Sequence, residues 1–216
     1  MTLYYPIYLD LGGRTCLVVG GGSVAERRAL GLREAGAAVR VVSPTLTPLL
    51  QSLADSGSIQ YVSGGYEPSA LEGVALVVAA TNSREVNARV VADAQAAHIP
   101  VNAADAPEDG DYIVPSVVRR GDLCVSISTG GANPMLAARL AAEMESRFGP
   151  EYADYVELLG QMRTYIKNKT ALATTRRLAL ADLLTAEPLL LERLQAGDRA
   201  AAHSIATDIV DAVLRA

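Results

Sequence analysis

The sequence has few cysteines, no long hydrophobic run and no N-terminal export signal. Only two cysteines occur, Cys16 and Cys124, and both lie inside apolar stretches, so the sequence predicts neither a disulfide framework nor a cysteine-based metal site. The longest uncharged apolar run, Val74 to Ala80, is far shorter than the ~20 residues that a membrane-spanning helix needs. The first residues lack the basic flank and the long apolar core of a signal peptide. We therefore expect a cytoplasmic protein without a membrane partner.

An excess of positive charge is also lacking. The 216 residues contain 19 basic and 24 acidic side chains, which disfavours a nucleic-acid partner. The two histidines are isolated, and no cluster of histidine, cysteine and carboxylate residues has metal-ligand spacing, so no resident metal is predicted. Half of the residues are hydrophobic and a fifth are charged, which is typical of a globular protein with a large core.

Apolar runs typical of strands alternate with helix-like stretches before Pro115. The runs are Pro6–Leu9, Thr15–Val19, Ala38–Val42, Ile59–Val62, Val74–Ala79 and Ile99–Val101, and the helical stretches are Val24–Ala35, Pro48–Ala54 and Arg84–Ala97. Continuous apolar strands that alternate with helices predict an α/β fold with a parallel sheet covered on both faces.

The pattern changes after this region. Two apolar segments, Tyr112–Arg119 and Leu123–Thr129, flank Gly121-Asp122, which predicts a hairpin with a two-residue turn. From Asn133 onward the sequence is helical, with a break at Gly149-Pro150. We therefore predict three parts: a sheet domain over residues 1–112, a hairpin and helix over residues 113–149, and a helical domain over residues 150–216.

A glycine-rich loop joins the Thr15–Val19 strand to the following helix. The residues Gly20-Gly21-Gly22-Ser23-Val24-Ala25 form a G-x-G-x-x-A motif, in which Gly20 permits a tight turn and Gly22 lets the main chain approach a pyrophosphate. The phosphates would bind at the helix N-terminus. In this position the motif favours a Rossmann domain that binds a dinucleotide over a simple tight turn.

The acidic residue that usually binds the adenine ribose is absent. The strand that should carry it ends in Ser43-Pro44-Thr45. A serine can still form a hydrogen bond with the ribose hydroxyls of NAD, although it rejects the 2′-phosphate of NADP less firmly than a carboxylate does. We expect NAD rather than NADP. The residues predicted to bind the cofactor are Gly20, Gly22, Ser23, Val24, Ser43, Pro44, Thr45 and Thr81.

Several segments together resemble one family. They are the run from Tyr5 to Ala25, the segments Ala79–Asn87 and Val101–Pro107, and the stretches Val114-Pro115-Ser116 and Ser128–Pro134. Their order and spacing are similar to those of the precorrin-2 dehydrogenases of siroheme biosynthesis, a family that includes the N-terminal module of siroheme synthase. The match covers nearly the whole chain.

This resemblance implies a fold and an activity. The implied fold is a Rossmann domain, a central dimerisation segment and a small helical domain, assembled as a homodimer. The implied reaction is the NAD-dependent oxidation of precorrin-2 to sirohydrochlorin, which some members follow with insertion of Fe²⁺, so the tetrapyrrole is the expected partner and iron a possible second substrate. In the family one aspartate serves both reactions, and the matching residue here is Asp105. A serine at the position of Thr129 is phosphorylated in at least one member.

The residues alone leave two interpretations of Asp105. It follows a predicted strand and precedes Pro107, so it suits a turn or a helix cap. It also lies at the carboxyl edge of the predicted sheet, where ligands bind, and an oxidation that transfers a hydride needs a base for the accompanying proton. With the resemblance added, we predict that Asp105 is the catalytic base.

The segment Ser128–Pro134 also has two interpretations. Asn133 with Pro134 is typical of a helix N-cap, which needs no further function. The hydroxyl- and glycine-rich segment before it offers N–H donors to the carboxylates of a tetrapyrrole. We carry Ser128, Thr129, Gly130 and Asn133 as predicted substrate-binding residues. Arg119 and Arg120, beside the turn, suit either carboxylate pairing or protection of the sheet edge.

Two other functions remain open from the sequence. A nucleotide-sensing module would bind NAD without turnover, and would leave Asp105 and the Ser128–Pro134 segment without a role. A chelatase that has lost its dehydrogenase activity is the second alternative. Residue types and spacing do not separate a dehydrogenase from a bifunctional enzyme.

Overall fold

The computed structural model describes residues 3–215, which form two compact units. The division falls between Val114 and Pro115, two residues after the first predicted domain boundary. The second predicted boundary, between residues 149 and 150, lies within the second unit and stays a prediction. In the described part of the chain, none of the helices is both long enough and apolar enough to cross a bilayer.

The first unit is a five-stranded parallel sheet with helices on both faces, which confirms the predicted α/β fold. The strand order is β3-β2-β1-β4-β5. The strands are β1 (Thr15–Val19), β2 (Ala38–Ser43), β3 (Gln60–Ser63), β4 (Val74–Ala79) and β5 (Val101–Ala103), and the helices are α1 (Ser23–Glu34), α2 (Pro48–Asp55) and α3 (Arg84–Ala96). Short 3₁₀ turns at Pro68–Leu71 and Pro107–Asp109 follow β3 and β5.

Alternating side chains of the central strands fill two separate cores. In β1, Leu17 and Val19 pack with Val90 and Val91 of α3 on one face of the sheet. Val18 packs on the opposite face in a cluster that holds Ala25 and Ala29 of α1 and Leu50 of α2. Because both faces are covered, the central strands β1 (after Thr15) and β4 are continuously apolar and lack a polar alternation.

Two predicted strands differ from the structure. Pro6–Leu9 is not a strand: residues 3–11 have no regular structure, and Tyr5, Ile7 and Leu9 are exposed. That prediction rested on apolar character alone, but a segment forms a strand only where a neighbouring strand is available to pair with it. The run predicted as Ile99–Val101 becomes β5 at Val101–Ala103, because His98 ends α3 in a left-handed conformation (φ 57°) and Pro100 has no N–H to donate.

The second unit contains the predicted hairpin and five helices. Strands β6 (Ser116–Arg120) and β7 (Leu123–Ile127) are antiparallel, and Arg120 pairs with Leu123 across the two-residue turn. Gly121 has φ 56° in that turn, as its predicted first position requires. The helices are α4 (Pro134–Arg147), α5 (Glu151–Lys169), α6 (Ala173–Thr185), α7 (Glu187–Gln195) and α8 (Arg199–Arg215), and α5 to α8 share one apolar core.

The predicted hairpin is too long at both outer ends. Tyr112 belongs to the first unit, since its hydroxyl donates to the carbonyl of Val77 at 3.1 Å and its carbonyl accepts from the amide of Asn102 at 2.9 Å. These bonds hold residue 112 beside β4 and β5, and Pro115 then begins the second unit. Burial raises the pKa of the Tyr112 hydroxyl, so it stays a neutral donor.

Candidate functional site

A cleft of about 470 Å³ lies at the carboxyl ends of the central strands of the first unit. In an open α/β sheet this edge is where ligands bind. The residues that line the cleft come from four connections: Val19 to Gly22, Val42 to Thr47, Gly64 to Tyr66, and Ala80 to Val86 without Arg84 and Glu85. None of these lining residues is charged. The cleft therefore suits a ligand whose own phosphates are neutralised by main-chain dipoles.

The glycine loop forms the floor of the cleft between β1 and α1. Gly20 has φ 127°, and a Cβ atom at this position would overlap the carbonyl oxygen of Ala80. At Gly22, by contrast, an added Cβ would meet no atom within 4 Å. The first glycine is therefore required by the packing of the protein itself, whereas the open space at Gly22 is what a bound pyrophosphate would occupy.

The N-terminus of α1 is left open, unlike those of the other two helices of this unit. Thr47 caps α2 by accepting from the N–H of Leu50, and Ser83 caps α3 by accepting from the N–H of Val86. Gly22 has no side chain to cap α1, so the N–H groups at its start are available to an anion. Ser23 and Val24 begin this helix and are exposed. This arrangement fits the phosphates of a dinucleotide.

The end of β2 forms the second wall of the cleft. Ser43 is buried and its hydroxyl donates to the carbonyl of Thr45 at 2.7 Å, while Pro44 and Thr45 are exposed at the cleft. Sequence reasoning missed Thr47, whose N–H donates to the carbonyl of Gly21 at 2.9 Å and whose hydroxyl donates to the carboxylate of Glu26. Thr47 thus fixes this wall to the glycine loop. Its position before Pro48, as in a helix N-cap, was the available signal.

The end of β4 forms the third wall of the cleft. Asn87, a second residue that the sequence analysis did not identify, fixes the position of this wall. Asn87 lies in the first turns of α3, is only 2% exposed, and makes three hydrogen bonds with Thr81. Thr81 lines the cleft, and its predicted role in cofactor binding stays a prediction. The signal that could have identified Asn87 is a polar residue at a core position of an otherwise apolar helix face, which includes Val90, Val91 and Ala94.

Asp105 lies in the loop that follows β5, and its side chain is exposed. Both ends of this loop are attached to the sheet: the N–H of Ala104 donates to the carbonyl of Ala79, and the N–H of Asp111 donates to the carbonyl of Val101. Ala106 is buried in the core between these ends. Asp105 does not line the cleft, and within the described residues its carboxylate accepts no hydrogen bond.

The predicted substrate-binding residues lie in the second unit, in the loop before α4. Asn133 caps α4 by accepting from the N–H of Leu136 at 3.0 Å. Thr129 exchanges two hydrogen bonds with the main chain of Asn133, and the Ser128 hydroxyl accepts from the N–H of Gly130. The loop is thereby ordered by its own hydroxyl groups. Arg120 is already engaged, since it donates to the carbonyl of Phe148 at 2.9 Å near the end of α4.

The structure gathers Gly20, Gly22, Ser43, Pro44, Thr45 and Thr81 around one cleft, with Ser23 and Val24 at the adjoining helix start. Asp105 follows the strand next to β4 in the same unit. The residues from Ser128 to Asn133 belong to the other unit. Within residues 3–215, no three histidine, cysteine, aspartate or glutamate residues are grouped as a metal site would require.

Comparison with known proteins agrees with this geometry. The sequence profile of a family described as "Putative NAD(P)-binding" matches residues 7–116. Siroheme synthase of Methylobacillus flagellatus is 39% identical over 198 residues, which are 92% of this chain and 42% of that protein, and siroheme synthase 1 of Aeromonas salmonicida is 41% identical over 203 residues, or 94% and 43%. The solved structure of "SirC, precorrin-2 dehydrogenase" superimposes with a TM-score of 0.71 and 28% identity, covering 96% of this chain and 99% of SirC.

The chain belongs to the precorrin-2 dehydrogenase family. Its match to the NAD(P)-binding profile covers the whole sheet of the first unit and assigns a nicotinamide cofactor to that unit. The chain spans about two fifths of the length of the siroheme synthases that it matches.

Proposed function

We propose that this chain oxidises precorrin-2 to sirohydrochlorin with NAD as the hydride acceptor. The observation that carries the proposal is the similarity to the SirC precorrin-2 dehydrogenase, which extends over 99% of that protein and 96% of this chain. The siroheme synthases are matched over about two fifths of their length, so they support the pathway rather than a complete set of activities.

The preference for NAD is supported by the charge of the cleft. NADP carries a 2′-phosphate that is usually recognised by arginine or lysine. None of the described residues that line the cleft is basic. Arg40 of β2, the nearest basic residue along the chain to Ser43, is committed elsewhere: its guanidinium donates to Gln60 and to the carbonyl of Ala70, each at 2.9 Å. A 2′-phosphate would therefore lack a cation.

The reaction removes two hydrogens from the substrate, one as a hydride and one as a proton. Bound NAD supplies the chemistry for the first, since its nicotinamide accepts the hydride. We assign the second to Asp105, whose carboxylate would accept the proton. Its place on the loop after β5, next along the sheet from the β4 connection that lines the cleft, supports this role.

Substrate recognition is assigned to the loop before α4. Precorrin-2 carries several carboxylates, which main-chain N–H groups and hydroxyls can bind. The internal bonds of Ser128, Thr129 and Asn133 hold this loop in one conformation before substrate arrives. A preorganised loop of this kind costs less conformational entropy on binding than a flexible one.

The decisive experiment is an anaerobic assay of the purified chain with precorrin-2 and either NAD or NADP. We expect NADH and sirohydrochlorin to form in equal amounts, and NADP to be used at least about tenfold less efficiently. Tight NAD binding without turnover would contradict the proposal and favour a nucleotide-sensing module. A second stage with sirohydrochlorin and Fe²⁺ tests the iron insertion that the family resemblance implies, which stays a prediction.

A further inference from the structure

Asn87 is a buried polar residue whose hydrogen bonds no apolar side chain could make. It lies on the core face of α3, which it shares with Val90, Val91 and Ala94, and it is 2% exposed. Burying an amide is unfavourable unless its donor and acceptor groups are both satisfied. At this position both are satisfied by one residue, Thr81, which lies six positions earlier in the chain.

Three hydrogen bonds connect the two residues. The N–H of Thr81 donates to Oδ1 of Asn87 at 3.0 Å, the Thr81 hydroxyl donates to the same oxygen at 2.7 Å, and Nδ2 of Asn87 donates to the Thr81 carbonyl at 3.1 Å. The two main-chain bonds also fix the orientation of the Asn87 amide, because a reversed amide would oppose donor to donor and acceptor to acceptor.

These bonds leave the Thr81 hydroxyl little capacity for a ligand. It accepts from the N–H of Ser83 at 3.1 Å, and its single proton has two protein acceptors within reach, Oδ1 of Asn87 at 2.7 Å and the Ser83 carbonyl at 3.0 Å. Thr81 therefore contributes to the cleft through the shape of its connection, Ala80–Ser83, rather than as a free hydroxyl. The position of this connection matters, because Gly20 of the phosphate loop approaches the Ala80 carbonyl too closely for any side chain.

The Ala80–Ser83 connection lines the side of the cleft next to β4, whereas Ser43 to Thr45 line the side next to β2. In a Rossmann fold the adenosine half of the dinucleotide lies on the β2 side, and the pyrophosphate crosses the N-terminus of the first helix. The second ribose and its nicotinamide therefore extend toward β4. A displacement of Ala80–Ser83 would disturb that half of the cofactor more than the adenosine half.

We propose that Asn87 is a positioning residue for the nicotinamide half of the cofactor. It holds Ala80–Ser83 at the distance from the glycine loop that the second ribose requires. This inference rests on the nicotinamide-dinucleotide binding in the proposed function, but not on precorrin-2 as the substrate. Asn87 itself contacts Thr81 and not the cleft, since it is absent from the lining residues.

The test is a titration of three ligands, NAD, ADP-ribose and ADP, into the purified full chain. Asn87→Leu keeps the side-chain size and removes all three bonds to Thr81. We expect NAD and ADP-ribose, which contain the second ribose, to bind about tenfold more weakly, and ADP to bind within about twofold of the original affinity. If Asn87→Leu does not fold, Thr81→Val removes only the hydroxyl and should weaken NAD binding by about threefold.

Val90→Ala is the matched control, because Val90 is fully buried on the same face of α3 and does not line the cleft. It should lower the melting temperature while leaving all three affinities unchanged. An unchanged NAD affinity in folded Asn87→Leu would overturn the proposal, as would an equal loss for ADP or an equal loss in Val90→Ala. If the original chain binds NAD but does not oxidise precorrin-2, the proposed function fails and this titration still decides the role of Asn87.

Discussion

The α-carbon of Gly20 lies so close to the carbonyl oxygen of Ala80 that residue 20 has no room for a Cβ atom. The two residues follow the neighbouring parallel strands β1 and β4, and the chain turns out of the sheet at both points. Gly20 also has φ 127°, a conformation that other residues rarely adopt. The first glycine of the motif is thus required by the fold, and this separates it from Gly22, which faces open space.

Gly22→Asp should abolish NAD binding without unfolding the protein. The backbone at Gly22 is extended, with φ −85°, and nothing in the structure obstructs a side chain there. Aspartate is also a favourable N-cap, so the stability of α1 should be retained or slightly increased. The carboxylate would occupy the space of the pyrophosphate and repel it. Calorimetric titration with NAD, together with thermal unfolding, measures both effects.

Gly31→Ala is the control for this variant, since Gly31 lies in the same helix, away from the cleft, with free space around it. It should increase stability by about 0.5–1 kcal/mol, because alanine is the better helix former, and should bind NAD normally. Normal NAD affinity in folded Gly22→Asp would show that the pyrophosphate does not bind at this loop.

The parts of the fold that local patterns determine could be predicted from the sequence. Val74–Ala79 is β4 to the residue, because a continuous apolar run that begins after Gly73 and is followed, beyond Ala80, by Thr81-Asn82-Ser83 suits a strand of a doubly covered sheet. Asn133-Pro134 likewise begins α4, since N-cap and first-turn preferences act within a few residues.

The parts that depend on distant contacts could not be predicted. Pro6–Leu9 has the composition of a strand, yet no strand of the sheet pairs with it. Asn87 and Thr47 act through partners that only the fold brings near, Thr81 in one case and Gly21 and Glu26 in the other. The Ser43 hydroxyl, expected at a ribose, donates to the carbonyl of Thr45. This last bond is local, but residue types and spacing do not show that the serine bonds to its own turn rather than to a ligand.

We predict a homodimer that forms through residues 112–148. Three apolar residues of the hairpin and α4 are notably exposed, namely Val117 at 47%, Met135 at 84% and Leu136 at 36%. Exposed apolar groups of this size are typical of an interaction surface. Sedimentation at micromolar concentration should show a dimer, and the double variant Val117→Lys, Met135→Lys should shift it toward monomer. A monomeric original chain would contradict the prediction.

Tyr155→Phe should stabilise the helical part of the second unit by about 1 kcal/mol. The Tyr155 hydroxyl is buried and has no hydrogen-bond partner among residues 3–215, so removing it relieves an unsatisfied polar group. The ring would keep its edge-on contact with Tyr152, whose centroid lies 6.0 Å away. Tyr152→Phe is the matched control, because it removes a hydrogen bond of 2.8 Å to Glu187 and should destabilise. Thermal unfolding of both variants tests whether the melting temperature rises in Tyr155→Phe and falls in Tyr152→Phe.

The same hydroxyl should make stability depend on alkaline pH. Burial, with a smaller contribution from the negative charge of Glu187, raises the pKa of Tyr155 from 10.0 to about 12. Between these values the unfolded chain has already lost the proton that the folded chain keeps, so the free energy of unfolding falls as pH rises. Denaturant titrations from pH 9 to about 11 should show a shallower loss in Tyr155→Phe. Equal slopes in the two proteins would exclude this contribution.

Asp105→Asn should separate binding from chemistry. The side chain is exposed, so the substitution should leave the melting temperature and the NAD affinity unchanged. An amide cannot accept the proton released during oxidation, and general-base catalysis typically contributes ~10²–10⁴-fold, so NADH formation should slow by about that factor. Any iron insertion should decrease in parallel if the same carboxylate removes the pyrrole protons.

Glu108→Gln is the control for Asp105→Asn, because Glu108 is another carboxylate of the same loop. It carries the same charge as Asp105, and both side chains are exposed. It should retain close to the original rate, since the proposed role depends on one position and not on the net charge of the loop. An unimpaired rate in Asp105→Asn would place the base elsewhere or assign the proton to water. Weakened tetrapyrrole binding with an unchanged rate at saturation would instead make Asp105 a residue that positions the substrate.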